Sequence, residues 1–392
     1  MSENRKRQLV VFAVIILGSF VVIFHRWFFQ SDFARGFKHF RETGLSFSMV
    51  PQDSKHNETE HSPKLVLFYT TWFGNKWPGI AEGSDVNISC GKQVCRFTHN
   101  PNELQVSDAV LFHGRDLPSV AHMKDIEKTK PPKQRWIFFL LESPVNAGRN
   151  PASLKGLFNW TMTYRIDSDI FLPYGYYTRL NLAEISLKPT NFAEGKDKLA
   201  VWLVSHCGTL RDEFVKKLLK YIKIDVFGSC SKNFDQHESC PRGSQECDHK
   251  LKRYKFYLSL ENSFCVDYIT EKYWFPLNHS IVPVVMGGAS YENKQLAIPG
   301  SFINTANFES VEALAKYLLY LNTNDTAYNE YFLWKKDLKP FTLLDSWPCK
   351  VCTALNNDSL PAKVYDMVDF WGVAKNCYGN DEKIRKLIAG ED

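Results

Sequence analysis

Residues 254–288 read YKFYLSLENSFCVDYITEKYWFPLNHSIVPVVMGG, and the order of strand-like and helix-like runs within them decides the fold. Tyr254–Leu260 alternates aromatic and aliphatic residues over strand length and ends on Glu261-Asn262-Ser263, a polar turn able to cap a helix. From Val266 the apolar positions fall at Val266, Ile269, Tyr273 and Leu277, which predicts a helix. Ile281–Met286 is a short apolar run closed by Gly287-Gly288, as in a buried parallel strand. Tyr268, Glu271 and Lys272 lie at i, i+3 and i+4, so a helix there would put all three on one surface. One ring, one carboxylate and one ammonium side by side match the base or ribose, the diol and the diphosphate of a nucleotide.

Outward from this unit, the chain repeats the same alternation. Lys64–Thr70, Asp108–His113 and Arg135–Leu141 read as strands in the first half. The polar stretch Thr190–Lys198 reads as a linker. Beyond it come a strand at Leu199–Ser205, an amphipathic helix at Leu210–Ile222, a strand at Ile224–Phe227 and a long loop over Ser229–Lys252. After residue 288 a short strand at Phe302-Ile303 and a helix from Ser310 to Leu321 follow, with helical pattern again from Asp325. Two successive α/β sets predict two Rossmann-like domains facing across a cleft.

With 392 residues there is room for two domains and a large core, and a net charge of +5 without a basic tract gives no footprint for nucleic acid. Aromatics at 14% suit a sugar-handling cleft and an aromatic core equally. Arg5-Lys6-Arg7 precedes the apolar run Leu9–Phe24 and an aromatic edge at Trp27-Phe28-Phe29, which favours an uncleaved membrane anchor over a cleaved signal peptide, since no small-x-small site follows. The expected order is a cytoplasmic tail over 1–8, a transmembrane signal anchor over 9–29, a stem over 30–62, an N-terminal domain over 63–192, a C-terminal domain over 193–346 and a disulfide-bearing segment over 347–392. Ten cysteines, and sequons at Asn57, Asn87, Asn159, Asn278, Asn324 and Asn357, fit a lumenal body. Cys90 and Cys95 sit close together and are expected to form a local disulfide; a short-loop disulfide is likewise expected for Cys349-x-x-Cys352, in preference to redox or zinc roles.

In open α/β sheets ligands meet the loops beyond the carboxyl ends of strands, where the sequence places His113, Arg115 and Glu142. Partial burial of Glu142 would raise its pKa and make it a general base; the plainer alternative is a loop carboxylate capping a helix. Arg211 falls in the first turn of a helix, which suits a phosphate, with a solvated helix Arg as the alternative. Asp167-Ser168-Asp169 has the form of a metal-diphosphate pair but stands apart from the cations of the second half, and a structural role is preferred.

Over about Lys64 to Cys352 the chain resembles the inverting α1,3-fucosyltransferases, type II membrane enzymes of the Golgi. The resemblance rests on YKFYLSLENS, DYITEKYW, VPVVMG, VWLVSHC, LFNWTMTYRIDSDIFLPYGYY, RWIFFLLESP, FHGRDLP and WPCKVC, in the family's order. It implies a GT-B fold, with the glycan acceptor on the first domain and GDP-fucose on the second, and no required cofactor or metal. It implies Glu142 as general base, Arg211, Tyr257, Glu261, Asn262, Tyr268, Glu271 and Lys272 around the donor, and His113 and Arg115 on the acceptor side. Gly114 and His206 depart from many relatives, which have His and Asn there. A non-catalytic lumenal protein that binds glycan or GDP-fucose is the alternative, and retention of Glu142, Arg211, Glu271 and Lys272 together argues against it.

Overall fold

The computed structural model describes residues 62–77, 80, 85–181, 190–241, 243–342, 347–377 and 382–390. The chain divides into two compact units, Met1–Glu58 with Cys240–Asp248 and Thr59–Ser239 with His249–Asp392. The described part of the first is a short segment closed by the Cys240–Cys247 disulfide. The apolar run 9–24, the stem up to residue 61 and Asn57 lie outside the described residues, among which no helix is long and apolar enough to cross a membrane.

Two sheets carry the second unit. The first holds β1 (Lys64–Phe68), β2 (Val86–Cys90), β3 (Gln93–Thr98), β4 (Ala109–His113), β5 (Arg135–Leu140), β6 (Trp160–Thr163) and β7 (Ile170–Phe171) in the order β2-β3-β1-β4-β5-β6-β7. Only the edge strand β2 runs antiparallel to its neighbour. β4 and β5 are buried on both faces, which explains their near-continuous apolar sequences AVLFH and RWIFFL. A separate antiparallel ribbon pairs β8 (Gly175–Arg179) with β14 (Leu338–Thr342).

The second sheet is wholly parallel: β9 (Lys198–Leu203), β10 (Ile224–Phe227), β11 (Tyr254–Leu260), β12 (Val282–Met286) and β13 (Ile303–Asn304), in the order β10-β9-β11-β12-β13. All seven residues of β11 are buried. Phe214 and Leu218 of α1 (Leu210–Leu218) and Leu314 and Leu318 of α3 (Val311–Thr323) share one apolar core with Trp202, Phe256, Leu258 and Val284. Chain order reverses between β9 and β11, which leaves a crevice beyond their carboxyl ends.

The organising stretch is strand, turn, helix, strand, but its helix is shorter than the spacing predicts. α2 spans Glu271–Asn278, not residues from Val266 onward. Asp267 adopts φ 58°, a left-handed conformation that interrupts helix geometry, and Thr270 is the N-cap, its hydroxyl accepting from the Lys272 amide. Tyr268 therefore sits before the helix and does not share a helix face with Glu271 and Lys272.

The expected disulfide pairing is also corrected. Cys90 joins Cys349 and Cys95 joins Cys352, so neither close pair is closed locally. In the β2–β3 ladder Cys90 faces Gln93 and Cys95 faces Ile88, which separates the two hairpin cysteines. Cys349 and Cys352 lie on α4 (Trp347–Leu355) at i and i+3, where Cβ atoms are ~5–6 Å apart, beyond the ~3.8 Å of a disulfide. The same spacing puts both sulfurs on one helix face, laid against the hairpin. Cys207–Cys230 and Cys265–Cys377 complete the set in this unit.

Candidate active site

The crevice between β9 and β11 is stitched by one side chain. Arg211 is 3% exposed; its Nη1 donates to Leu260 O at the end of β11 (3.0 Å) and its Nη2 to His206 O beyond β9 (2.8 Å), while Nε donates to Thr209 Oγ1 (3.2 Å). The guanidinium thus braces both strand exits, more than the solvated or freely reaching cation that its helical position alone conveys. One residue past β11, Glu261 is fully buried and accepts from Thr270 N (2.8 Å) and Thr270 Oγ1 (2.9 Å), with Lys272 Nζ at 3.3 Å. Lys272 Nζ also donates to Thr270 Oγ1 (2.9 Å) and to Glu271 Oε1 (3.1 Å). Burial pushes the Glu261 carboxyl above its ordinary range, with Lys272 opposing. The result is an ammonium held at the N-terminus of α2, where unpaired amides and the helix dipole favour an anion.

Glu142 reaches this cluster from the other sheet. It follows β5 by two residues and lies between two buried anchors: Leu141, whose carbonyl accepts from Tyr174 Oη (2.6 Å), and Ser143, whose Oγ donates to Ser263 Oγ in the turn after β11 (2.8 Å). Burial pushes the Glu142 carboxyl above its usual value, Glu271 and Glu261 push the same way, and Lys272 and Arg115 oppose them. Residues 142, 261, 271 and 272 therefore share one field. Tyr268, 2% exposed, fills the space between the sheets with its ring 4.9 Å from Tyr164 and 6.1 Å from Tyr174. Tyr257 is likewise inside, its ring 5.8 Å from Phe275, while Asn262 accepts from Ser263 Oγ (3.3 Å). Of the donor-side candidates, Glu271 and Lys272 have the more open side chains and Tyr257, Glu261 and Tyr268 are buried beneath them.

The acceptor-side candidates part company. Arg115 is exposed, donates to Asn146 O and acts on Glu142 through its charge. His113 is 1% exposed, stacked on Trp72 at 5.2 Å, with Nδ1 2.6 Å from Asp116 Oδ2. Burial pushes the imidazole below its ordinary pKa. Asp116 also accepts from the Phe73 and Gly74 amides, so the pair fixes the Trp72–Asn75 turn. Asp116, Ser143, Ser263 and Thr270 are site residues that sequence reading passed over. Ser263 stands in the polar turn read as able to cap a helix, whereas the N-cap the structure uses is Thr270, two residues before Lys272.

Asp167 and Asp169 are divided between separate tasks. Asp167 pairs with Arg165 (2.6 Å), whereas Asp169 accepts from Thr161 N (2.8 Å) and Tyr365 Oη (2.6 Å) and pairs with Lys363 (2.7 Å). Among the sequons, Asn87, Asn278 and Asn357 are exposed, and Asn324 caps a helix through Oδ1. Asn159 is tied into the fold, its Oδ1 accepting from Trp136 N (3.1 Å) and its Nδ2 donating to Lys363 O (3.3 Å).

A carboxylate of raised basicity opposite a fixed ammonium and a helix N-terminus can take a proton on one side of a substrate while negative charge leaves on the other. A family model described as fucosyltransferase, N-terminal, matches residues 61–175, and one described as glycosyltransferase family 10 (fucosyltransferase) C-term matches residues 193–371. The chain is 34% identical over 333 residues to the bovine 3-galactosyl-N-acetylglucosaminide 4-alpha-L-fucosyltransferase FUT3, covering 79% of this chain and 82% of the relative. It is 30% identical over 364 residues to alpha-(1,3)-fucosyltransferase C of Drosophila melanogaster, covering 83% of each. A crystal structure of an alpha1,3-fucosyltransferase with GDP-fucose aligns at a TM-score of 0.47 and 17% identity, over 79% of this chain and 96% of that one.

Proposed function

The chain belongs to the α1,3-fucosyltransferases of glycosyltransferase family 10, and from that membership we propose that it moves fucose from GDP-fucose to the 3-hydroxyl of a GlcNAc in a glycoconjugate glycan, with inversion. One observation carries the mechanism: Glu142, at the carboxyl end of β5, lies in the field of Lys272 at the N-terminus of α2. Glu142 takes the proton of the acceptor hydroxyl as that oxygen attacks the anomeric carbon from the face opposite GDP. Negative charge then grows on the departing diphosphate, where Lys272 and the α2 amides offer fixed compensation and Arg211 holds the crevice in shape. Glu271 is suited to the ribose hydroxyls. Tyr257, Glu261, Asn262 and Tyr268 act as the support beneath them, and Arg115, with His113 behind it, borders the acceptor.

No divalent metal is required in this scheme, and the engagement of Asp169 by Thr161, Tyr365 and Lys363 supports that reading. Activity abolished by EDTA and restored by Mn²⁺ would return Asp167 and Asp169 to the mechanism. The basic flank before the apolar run 9–24 and the disulfides support a Golgi membrane protein with its catalytic part lumenal. Protease protection of the C-terminus in intact vesicles tests that orientation. The deciding assay is GDP-fucose with a small panel of N-acetyllactosamine and N-glycan acceptors, read by mass spectrometry. Fucosylated product supports transfer, whereas tight GDP-fucose binding without product would assign the chain to non-catalytic binding.

A further inference from the structure

Ser143 directly follows Glu142, is fully buried, and donates through Oγ to Ser263 Oγ on the opposite half at 2.8 Å. Asn146 Nδ2 donates to both hydroxyls, at 3.2 Å to Ser143 and 3.1 Å to Ser263. Ser263 is itself 4% exposed and passes its own proton to Asn262 Oδ1 at 3.3 Å. A continuous neutral hydrogen-bond chain therefore joins the strand end that bears Glu142 to the turn that leads from β11 to the ammonium cluster.

The far side of this chain is a fixed reference. The turn is pinned by Glu261 N donating to Met286 O (2.8 Å), by the Cys265–Cys377 disulfide, and by Gly288, where a Cβ would stand 2.3 Å from the carbonyl carbon of Phe264. The near side is pinned by Tyr174 Oη on Leu141 O. Glu142 is thus suspended between one anchor in its own half and one across the cleft. The two anchors flank the backbone that carries the Glu142 carboxylate.

We propose that Ser143, Ser263 and Asn146 are positioning residues for the transfer reaction, a latch that holds the Glu142 carboxylate in register with the donor cluster. The proposal rests on the reading of Glu142 as base. None of the three has to touch substrate. Their effect belongs to the geometry of proton removal, a step in which a displacement of about 1 Å can cost ~100-fold.

The test uses the full-length chain in detergent, with Ser143→Ala, Ser263→Ala and the double variant. Turnover at saturating donor and acceptor, GDP affinity by calorimetry and thermal midpoint are read for each. Each single change is expected to lower kcat by about 10-fold or more, with GDP affinity within about twofold of wild type. Because both act through one bond, the double variant should be no slower than the slower single. Wild-type kcat in the singles, losses that multiply in the double, or a fall in GDP affinity as large as the fall in kcat would each overturn the latch. Should the serine variants fail to fold, Asn146→Asp removes the amide donor at a partly exposed site, and it must reproduce the kcat loss for the latch to stand. Failure of the underlying reading looks different: wild-type protein that transfers no fucose, or Glu142→Gln at full turnover, removes the base itself.

Discussion

Desolvation of the half-buried Glu142 and the nearby Glu271 and Glu261 carboxylates push its pKa up, and Lys272 and Arg115 oppose that push, which suits the proposed base. Glu142→Gln is expected to lower transfer by ~10²–10⁴-fold while GDP affinity by calorimetry stays at the wild-type level; near-normal turnover would remove Glu142 from the mechanism. The sign of the pH dependence follows from the same charges. The proposed base would work only unprotonated, so kcat should fall as pH drops through a limb lying above the ordinary carboxylate range. Arg115→Ala removes a charge that favours the carboxylate and should move that limb to higher pH; a limb that stays put or moves lower contradicts the assigned field. Lys272→Ala is expected to weaken GDP binding and to leave the fully buried Glu261 with its Thr270 hydrogen bonds but without the ammonium, costing about 1–3 kcal/mol of stability. Unchanged affinity in the folded variant would count against an ammonium at the diphosphate.

At the scale of elements, the joint between hairpin β2–β3 and α4 is covalent twice over. Peptide mapping of the non-reduced protein should recover Cys90 with Cys349 and Cys95 with Cys352; a Cys90–Cys95 or Cys349–Cys352 peptide would refute the arrangement. Strands β1, β4, β5, β9, β11 and β12 were legible because a parallel strand covered on both faces is largely apolar over strand length, even where β11 buries Lys255 and Ser259. The helix read from Ser310 to Leu321 spans Val311–Thr323, with Ser310 as its N-cap accepting from Ala313 N. The stretch before α2 misled because Val266 and Ile269 keep helical spacing while Asp267 turns the backbone left-handed, and apolar period does not register one dihedral. Disulfide partners were illegible for a topological reason: nearness in sequence was the only available measure, and a helix that docks on a hairpin overrides it. Of the site, the charged groups could be named from their places at strand ends and helix starts. The serines and Asp116, which hold those groups through neutral or local bonds, carry no such mark.

For the whole molecule, the segment around residues 361–377 returns to the first sheet after the second is complete. Trp160 Nε1 donates to Pro361 O (2.9 Å), Tyr365 Oη and Lys363 reach Asp169, and Arg165 donates to Phe370 O (2.8 Å). Asp169→Ala leaves Thr161 N and Tyr365 Oη without their acceptor while the exposed Lys363 returns to water, so a loss of about 1–3 kcal/mol is expected in equilibrium unfolding. A change below about 0.5 kcal/mol would mean that the returning segment adds little. The two long cross-links span 259 and 257 residues, from the outer hairpin to α4. During synthesis the hairpin leaves the ribosome with both thiols open, and their partners do not exist until nearly nine-tenths of the polypeptide has been made. The half built on the first sheet therefore cannot gain these two cross-links on its own, and a nascent chain stalled before α4 would present two unpaired thiols to the quality-control machinery of its compartment.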